Sequence, residues 1–152
     1  MKAKDRVRAH TDTDINEKIE QRTERRVLQA ATAAERTISR RIDELEKEWD
    51  IERYLETNAS AIAFSGVILG LLVNKKFLAI PAIVLPFLFQ HAVQGWCPPV
   101  PLFRRLGVRT RKEIDAEKYA LKAVRGDFDE LPPANNGDTL RRARRAWEAA
   151  NA

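Results

Sequence analysis

Two uncharged stretches separated by a short polar connector constrain this chain more than any other feature. The first covers residues 59–73 and the second covers residues 77–96, with two lysines in the connector at residues 74–76. A helix rises about 1.5 Å per residue and the hydrocarbon core of a bilayer is about 30 Å thick, so one crossing needs about 20 residues. The second stretch has that length. The first has it if its helix begins near Tyr54, with the tyrosine ring at headgroup depth.

The connector is too short for any arrangement except an antiparallel pair. The sequence therefore predicts a transmembrane helical hairpin, and the alternative is a core hairpin buried in a soluble protein. We expect an all-α membrane protein in which a long N-terminal helix and two short C-terminal amphipathic helices flank the hairpin. The expected divisions are a disordered N-terminus (1–13), a long charged helix (14–58), the hairpin (59–96, with spans 59–73 and 77–96), a Cys-Pro exit turn with a juxtamembrane helix (97–126), and a linker with a basic C-terminal helix (127–152).

The distribution of positive charge predicts the orientation of the hairpin. Nine lysines and arginines lie within about 20 residues of its outer ends, against two in the connector. Both termini should therefore face the cytoplasm. The segment after the hairpin carries 12 basic and 8 acidic residues, which favours contact with anionic lipid headgroups of the bilayer. Nucleic acid is not expected as a partner, because no nucleic-acid-binding fold or aromatic-basic platform accompanies the charge.

Residues 14–58 contain neither glycine nor proline and are rich in helix-forming residues, which favours one long helix. Apolar residues recur along it at spacings of three and four, interrupted once by Glu35. One interpretation is a coiled coil that forms a homodimer or recruits a cytoplasmic protein. The other is an amphipathic helix that lies on the membrane or packs on the C-terminal part. The seam consists of Leu28, Ala31, Ile38, Ile42, Leu45 and Trp49.

Small residues share one face of the first span. They include a GxxxG pattern, and small residues allow two helix backbones to approach closely in lipid. We expect this face to pack on the second span, which is tethered beside it, and a homodimer interface is the alternative. The small residues are Ala59, Ala63, Gly66 and Gly70.

A juxtamembrane helix is predicted after the proline-rich exit from the hairpin. Thr110 and Glu113 form a capping box that begins a helix at about Arg111. Gly126, directly after Arg125, is expected to end that helix, because glycine readily adopts the left-handed conformation of a C-terminal cap.

The C-terminal helix is predicted to be basic and amphipathic. Residues 127–137 look like a linker, and Asp138 can cap the helix that follows. Leu140 and Trp147 lie on one face of this helix and four arginines occupy the other, a pattern that suits a membrane surface. Docking on an acidic partner is the alternative. The residues expected at the membrane surface are Trp96, Arg141, Arg142, Arg144, Arg145 and Trp147.

The motifs that usually identify an enzyme are missing. The chain has no GxGxxG, P-loop, HExxH or CxxC pattern, so we expect no catalytic residues, no cofactor and no metal. Cys97 is the candidate reactive thiol. It is interpreted as a small apolar group at the membrane interface, as a carrier of sulfur, persulfide or an acyl chain, or as a metal ligand completed by another chain. Its polar neighbours in the sequence are His91, Gln94, Arg104 and Arg105.

Short motifs around the hairpin carry a resemblance to a known family. They are DIER at residues 50–53, HAVQGWCP at residues 91–98 and LGV at residues 106–108. Together with the glycine-containing first span, these motifs resemble the YgaP-like transmembrane domain family over about residues 50–110. The following segment, 109–128, looks like that of a proteobacterial subgroup. The resemblance implies a hairpin in the bacterial inner (cytoplasmic) membrane.

The resemblance does not imply sulfurtransferase activity. Some members of the family add a cytoplasmic rhodanese domain, which needs a cysteine at the head of an anion-cradling loop in an α/β domain. Here Cys97 is followed by Pro98 and Pro99, which have no backbone N–H groups to offer an anion, and no α/β pattern is present.

Two functional hypotheses follow from these features. The first is a small membrane protein that anchors or organises a partner, or a second copy, at the cytoplasmic face without catalysis of its own. The second is an accessory sulfur-handling protein in which Cys97 accepts sulfane sulfur or passes it to a separate sulfurtransferase.

Overall fold

The computed structural model describes residues 5–132 and 139–151. Regular secondary structure in these residues is helical throughout, as the sequence predicts. The helices are α1 (Arg6–Ala9), α2 (Thr13–Ala30), α3 (Glu35–Lys47), α4 (Ile51–Leu72), α5 (Ala79–Gln94), α6 (Val100–Arg105), α7 (Arg111–Arg125) and α8 (Thr139–Asn151).

The described residues belong to two compact units. Unit 1 comprises residues 5–20 and 49–112, and therefore includes the hairpin. Unit 2 comprises residues 21–48 together with the described residues from 113 onward. Helix α2 contributes residues to both units.

The hairpin in unit 1 consists of α4 and α5. Two helical stretches, one ending at Leu72 and one ending at Gln94, are long and apolar enough to cross a membrane. Helix α4 begins at Ile51, before the uncharged stretch, because the Asp50 side chain accepts a hydrogen bond from the Arg53 amide and caps the helix. The connector forms a short 3-10 turn, Lys75–Leu78, before α5 begins.

The small-residue face of α4 lies against the second helix and the turn before it. A Cβ atom at Gly66 would lie 2.7 Å from Cδ of Pro81, and one at Gly70 would lie 2.7 Å from Cγ of Leu78. Only glycine lets α4 approach Leu78 and Pro81 this closely. The small-residue face therefore packs within the hairpin. The face comprises half-buried Ala59 and buried Ala63, Gly66 and Gly70.

The N-terminal segment is ordered from Asp5 onward, so the prediction of disorder over residues 1–13 is wrong for its described part. Asp5 caps α1 by accepting hydrogen bonds from the amides of Val7 and Arg8, both at 3.1 Å. Val7 is buried in the core of unit 1, and this burial offsets the entropy of ordering the segment. That core also contains Ile51, Leu55, Cys97 and Val100.

The predicted single helix over residues 14–58 is interrupted at residues 31–34 and again at residues 48–50. Because the chain is interrupted at residues 31–34, the end of α2 and the apolar face of α3 can pack in the same cluster. This cluster is the core of unit 2. Ile38, Ile42 and Leu45 of α3 pack there with Ile114 and Leu121 of α7. These three seam residues therefore pack within the chain, in keeping with the alternative of packing on the C-terminal part.

The remaining seam residues lie elsewhere. Leu28 and Ala31 are exposed, and Trp49 belongs to unit 1, where its ring contacts Tyr54 with centroids 5.3 Å apart. The guanidinium of Arg53 lies 4.4 Å from the Trp49 ring centroid, a cation–π distance. A continuous coiled-coil seam from Leu28 to Trp49 is therefore absent.

The helix predicted over residues 111–125 is confirmed as α7. Gly126 follows it with φ of +92°, a conformation that favours glycine. The predicted linker is described only as far as residue 132, where residues 126–130 form turns, and Asp138 lies outside the described residues. The final helix is present as α8, and Nζ of Lys122 lies 2.8 Å from the carbonyl oxygen of Ala150 in its last turn.

Candidate functional site

A polar cavity of about 630 Å³ lies in unit 1 where α4 begins and α5 ends. An antiparallel hairpin brings these two helix ends together, so acidic residues of α4 and a histidine of α5 share the cavity. The segments that flank the hairpin, residues 5–7 and 110–112, complete its wall. The charged and polar side chains of the lining are Asp5, Arg6, Glu52, Glu56, His91, Thr110, Arg111 and Lys112.

A hydrogen-bond network ties these flanking segments to the start of α4. Besides capping α1, Asp5 accepts a hydrogen bond from the Thr110 hydroxyl at 2.7 Å. Asp50 accepts one from Nε of Arg111 at 2.9 Å, and the amide of Ile51 donates to the carbonyl of Arg109 at 2.9 Å. The cavity wall is therefore held by polar contacts between residues distant in the sequence.

The other wall of the cavity depends on Gly95. This glycine caps α5 with φ of +78°, and a Cβ atom there would lie 2.8 Å from the backbone carbonyl carbon of Arg6. The side chain of Arg6 donates from Nη1 to the carbonyls of Ala92 and Val93 at the end of α5. These carbonyls have no partner further along the helix, so Arg6 satisfies acceptors that a helix C-terminus leaves open.

Two buried polar atoms of the cavity lining have no hydrogen-bond partner among residues 5–132 and 139–151. They are Nδ1 of His91 and Oε2 of Glu52. His91 is only 6% exposed. Buried polar atoms nearly always have partners, because an unpaired one costs about 1–3 kcal/mol. This pair makes the cavity the candidate site of unit 1.

Cys97, the predicted candidate thiol, lies outside this cavity. It is 4% exposed, packs in the core of unit 1, and lines a separate apolar cavity of about 310 Å³ between the hairpin helices and the proline-rich turn. Burial raises the pKa of the Cys97 thiol above its ordinary value, and a hydrogen bond from the Val100 amide offsets only part of that effect. A neutral thiol in an apolar wall is a packing group and a poor nucleophile.

The predicted polar neighbours of Cys97 have other roles. Arg104 is fully buried and donates to Thr11, Asn16 and Val108, whereas Arg105 is exposed and lies 4.0 Å from Asp12. Of the two others, His91 lines the polar cavity, and Gln94 accepts a 3.4 Å hydrogen bond from Gln90.

We expect Cys97 to react slowly with alkylating reagents in the folded protein. Because burial raises the pKa of the thiol and shields its sulfur, iodoacetamide at pH 7 should modify the native protein more slowly than the denatured protein. The native rate should keep rising at a pH where a free cysteine has already reached its plateau. Mass spectrometry of the alkylated protein measures both rates. Fast native alkylation at neutral pH, or an intact mass showing an added sulfur or acyl group, would contradict this expectation.

The residues predicted to lie at the membrane surface are mostly exposed. In α8 the apolar side chains Leu140 and Trp147 are 86% and 72% exposed. Within α8, Arg142 contacts the Pro132 carbonyl, and Arg145 lies 3.9 Å from Glu130 and 3.7 Å from Glu148. Arg141 and Arg144 are exposed on the same helix, and Trp96 in unit 1 is half-buried.

Sequence reasoning missed most of the polar cavity. Glu52 and Glu56 are four residues apart, so they lie on one face of a helix just before the first uncharged stretch. His91 lies near the end of the second stretch, and antiparallel pairing places it beside the start of the first. These spacings could have revealed the carboxylates and the imidazole, but nothing in the sequence showed that Asp5 and Arg6 join them.

The fold and the site together define an all-helical protein with two helices able to cross a membrane and a polar cavity at one end of the pair. Among the described residues, no group of three His, Cys, Asp or Glu side chains is placed to hold a metal ion. No protein-family model matches the chain, and comparisons with curated proteins and with solved structures find no match either.

Proposed function

We propose that this chain is a small bacterial inner-membrane protein that anchors or organises a partner, or a second copy of itself, at the cytoplasmic face. In this proposal the hairpin crosses the membrane and both termini face the cytoplasm. The chain has no catalytic activity of its own. Membership of the YgaP-like family stays a prediction from the motifs of the hairpin.

The observation that carries the proposal is the exposed apolar surface of the hairpin. Large apolar side chains point away from the protein along both helices, among them Phe64, Leu71 and Leu72 of α4 and Phe89 of α5. A soluble protein rarely leaves so much contiguous apolar surface in water, whereas lipid covers it without cost. The excess of cations at the outer ends supports the orientation.

The partner-binding part of the proposal is supported by α8. Its apolar face is exposed beside four arginines, which suits an amphipathic helix at a membrane surface or at a partner. The alternative function in sulfur handling receives no support from the site. Its only candidate group, Cys97, is buried and its pKa is raised by burial.

The experiment uses single introduced cysteines in a Cys97→Ser background in intact cells. We expect Lys75→Cys, in the exposed connector, to react with a membrane-impermeant maleimide added from outside. Leu140→Cys in α8 should react only after permeabilisation. A permeant cysteine–amine cross-linker should then join Leu140→Cys to a copy or a partner in one discrete adduct. Restoring Cys97 beside Leu140→Cys should leave that adduct unchanged.

Three outcomes would contradict the proposal. Labelling of Lys75→Cys only after permeabilisation would place the connector inside the cell. Absence of a discrete adduct would leave the cytoplasmic helix without a protein contact. Formation of the adduct only when Cys97 is restored would favour sulfur handling. The matched control is Glu24→Cys in α2, an exposed position on a polar helix surface that should label but form no discrete adduct.

A further inference from the structure

We propose that the polar cavity at the base of the hairpin binds a primary ammonium group, supplied by the headgroup of an ethanolamine-type phospholipid. The argument starts from the two unpartnered atoms. Oε2 of Glu52 and Nδ1 of His91 line the same cavity, and both are shielded from solvent. A ligand that reaches both atoms would satisfy two buried polar atoms at once.

The chemistry of these atoms selects the ligand. An ionised carboxylate only accepts hydrogen bonds, and a neutral imidazole with its proton on Nε2 accepts at Nδ1. With both groups in these states, a ligand that pairs with them donates at least two hydrogen bonds, and a positive charge on the ligand strengthens both. A primary ammonium has three N–H donors and one positive charge. A quaternary ammonium has the same charge but no N–H group.

Two of the three lysine and arginine side chains in the cavity lining donate hydrogen bonds to groups other than Glu52 and His91. Nη1 of Arg6 donates to the carbonyls of Ala92 and Val93, and Nε of Arg111 donates to Asp50. Glu56 adds a second carboxylate to the lining. An ammonium group in the cavity would therefore meet carboxylate and imidazole acceptors.

The size and position of the cavity point to a headgroup. A volume of about 630 Å³ exceeds what an ammonium group fills and leaves room for a phosphodiester near the basic wall residues. The cavity opens at the end of the two apolar helices, where headgroups lie if the hairpin spans the membrane. Leu88 also lines the apolar cavity of about 310 Å³, which offers a surface for an acyl chain. The choice of a lipid source thus rests on the proposed function.

The test compares two lipids that differ only in the ammonium group. Purified full-length protein in a detergent micelle is titrated with dihexanoyl-phosphatidylethanolamine and with dihexanoyl-phosphatidylcholine. Binding is read by native mass spectrometry and by the thermal unfolding midpoint, Tm. We expect one ethanolamine lipid to bind per chain and to raise Tm. The choline lipid should bind at least about tenfold more weakly, because it cannot donate the hydrogen bonds.

Variants locate the binding. Glu52→Gln and, separately, His91→Phe should each weaken binding of the ethanolamine lipid by about tenfold or more, since each removes a charge-assisted or buried hydrogen bond. Glu24→Gln, the same chemical change at an exposed glutamate of α2, should have no effect. If one variant does not fold, the other and the comparison of the two lipids still decide the result.

Each contrary outcome overturns a defined part of the proposal. Equal binding of the two lipids, or unchanged binding by both folded variants, overturns the ammonium site. Binding of free phosphoethanolamine as tightly as the short-chain lipid upholds the ammonium site and overturns the lipid source. Because these measurements are made in detergent, failure of the connector labelling in cells would count against the membrane function without removing an observed ammonium site.

Discussion

Replacing Arg104 by methionine is expected to destabilise unit 1 by about 3 kcal/mol or more. The guanidinium is fully buried and donates to Oγ1 of Thr11 at 3.2 Å, to the carbonyl of Val108 at 3.0 Å and to Oδ1 of Asn16 at 2.8 Å. Methionine keeps much of the aliphatic stem but leaves three acceptors without this donor, and each unsatisfied buried group costs about 1–3 kcal/mol. Hydrogen exchange followed by mass spectrometry measures the loss in peptides from residues 5–20 and 98–112, where exchange should accelerate roughly a hundredfold.

The adjacent arginine provides the control. Arg105 has an exposed side chain, and its contact with Asp12 is at 4.0 Å. An exposed pair of this kind contributes about 0–1 kcal/mol, so Arg105→Met should leave exchange in the same peptides nearly unchanged. Equal effects of the two substitutions would contradict the structural role assigned to Arg104.

Replacing Glu117 by glutamine is expected to destabilise unit 2 by about 3 kcal/mol. The Glu117 carboxylate is fully buried, accepts a hydrogen bond from Nε of Arg41 at 2.9 Å, and lies 3.7 Å from Nη1 of Arg26. Glutamine has nearly the same shape but no charge, and its amide can turn a donor toward an arginine. Removal of one member of a buried ion pair costs about 3–5 kcal/mol. Exchange in peptides of α3 and α7 should accelerate while unit 1 peptides stay protected.

A second glutamate beside Arg41 tests whether burial is the cause. Glu44 lies 3.2 Å from Nη1 of Arg41, and more than half of its side chain is exposed. Glu44→Gln should therefore cost less than about 1 kcal/mol. If Glu44→Gln were as destabilising as Glu117→Gln, the loss of stability would depend on the number of negative charges around Arg41 and would not depend on their burial.

The elements that could be predicted from the sequence are those decided locally. The hairpin is predictable because a membrane span requires about 20 uncharged residues, whatever the rest of the chain does. Helix α7 is predictable because its first residue follows a capping pattern and Gly126 ends it. In both cases the deciding residues are neighbours in the sequence.

The features that were missed depend on contacts between distant residues. Val7 is one apolar residue in a charged segment, and nothing nearby shows that it enters the core of unit 1. The interruption between α2 and α3 contains no glycine or proline that would reveal it in the sequence. Its benefit is the packing of apolar side chains with α7 in the core of unit 2. Charged residues such as Arg104 and Glu117 look solvent-exposed until their partners are known, and those partners lie up to 93 and 91 residues away, respectively.

The hydrogen bond between Asp5 and Thr110 has a consequence for the order of biosynthesis. The two residues are 105 positions apart, and at about 5–20 residues per second the ribosome needs roughly 5–20 s to make the chain between them. Both hairpin helices are complete before Thr110 is translated. The N-terminal segment therefore waits, without its partner, while the hairpin is being made, and the polar cavity forms only after the chain has grown past residue 112. A chain that terminates after the hairpin but before residue 112 would contain both hairpin helices and lack part of the wall that encloses the polar cavity.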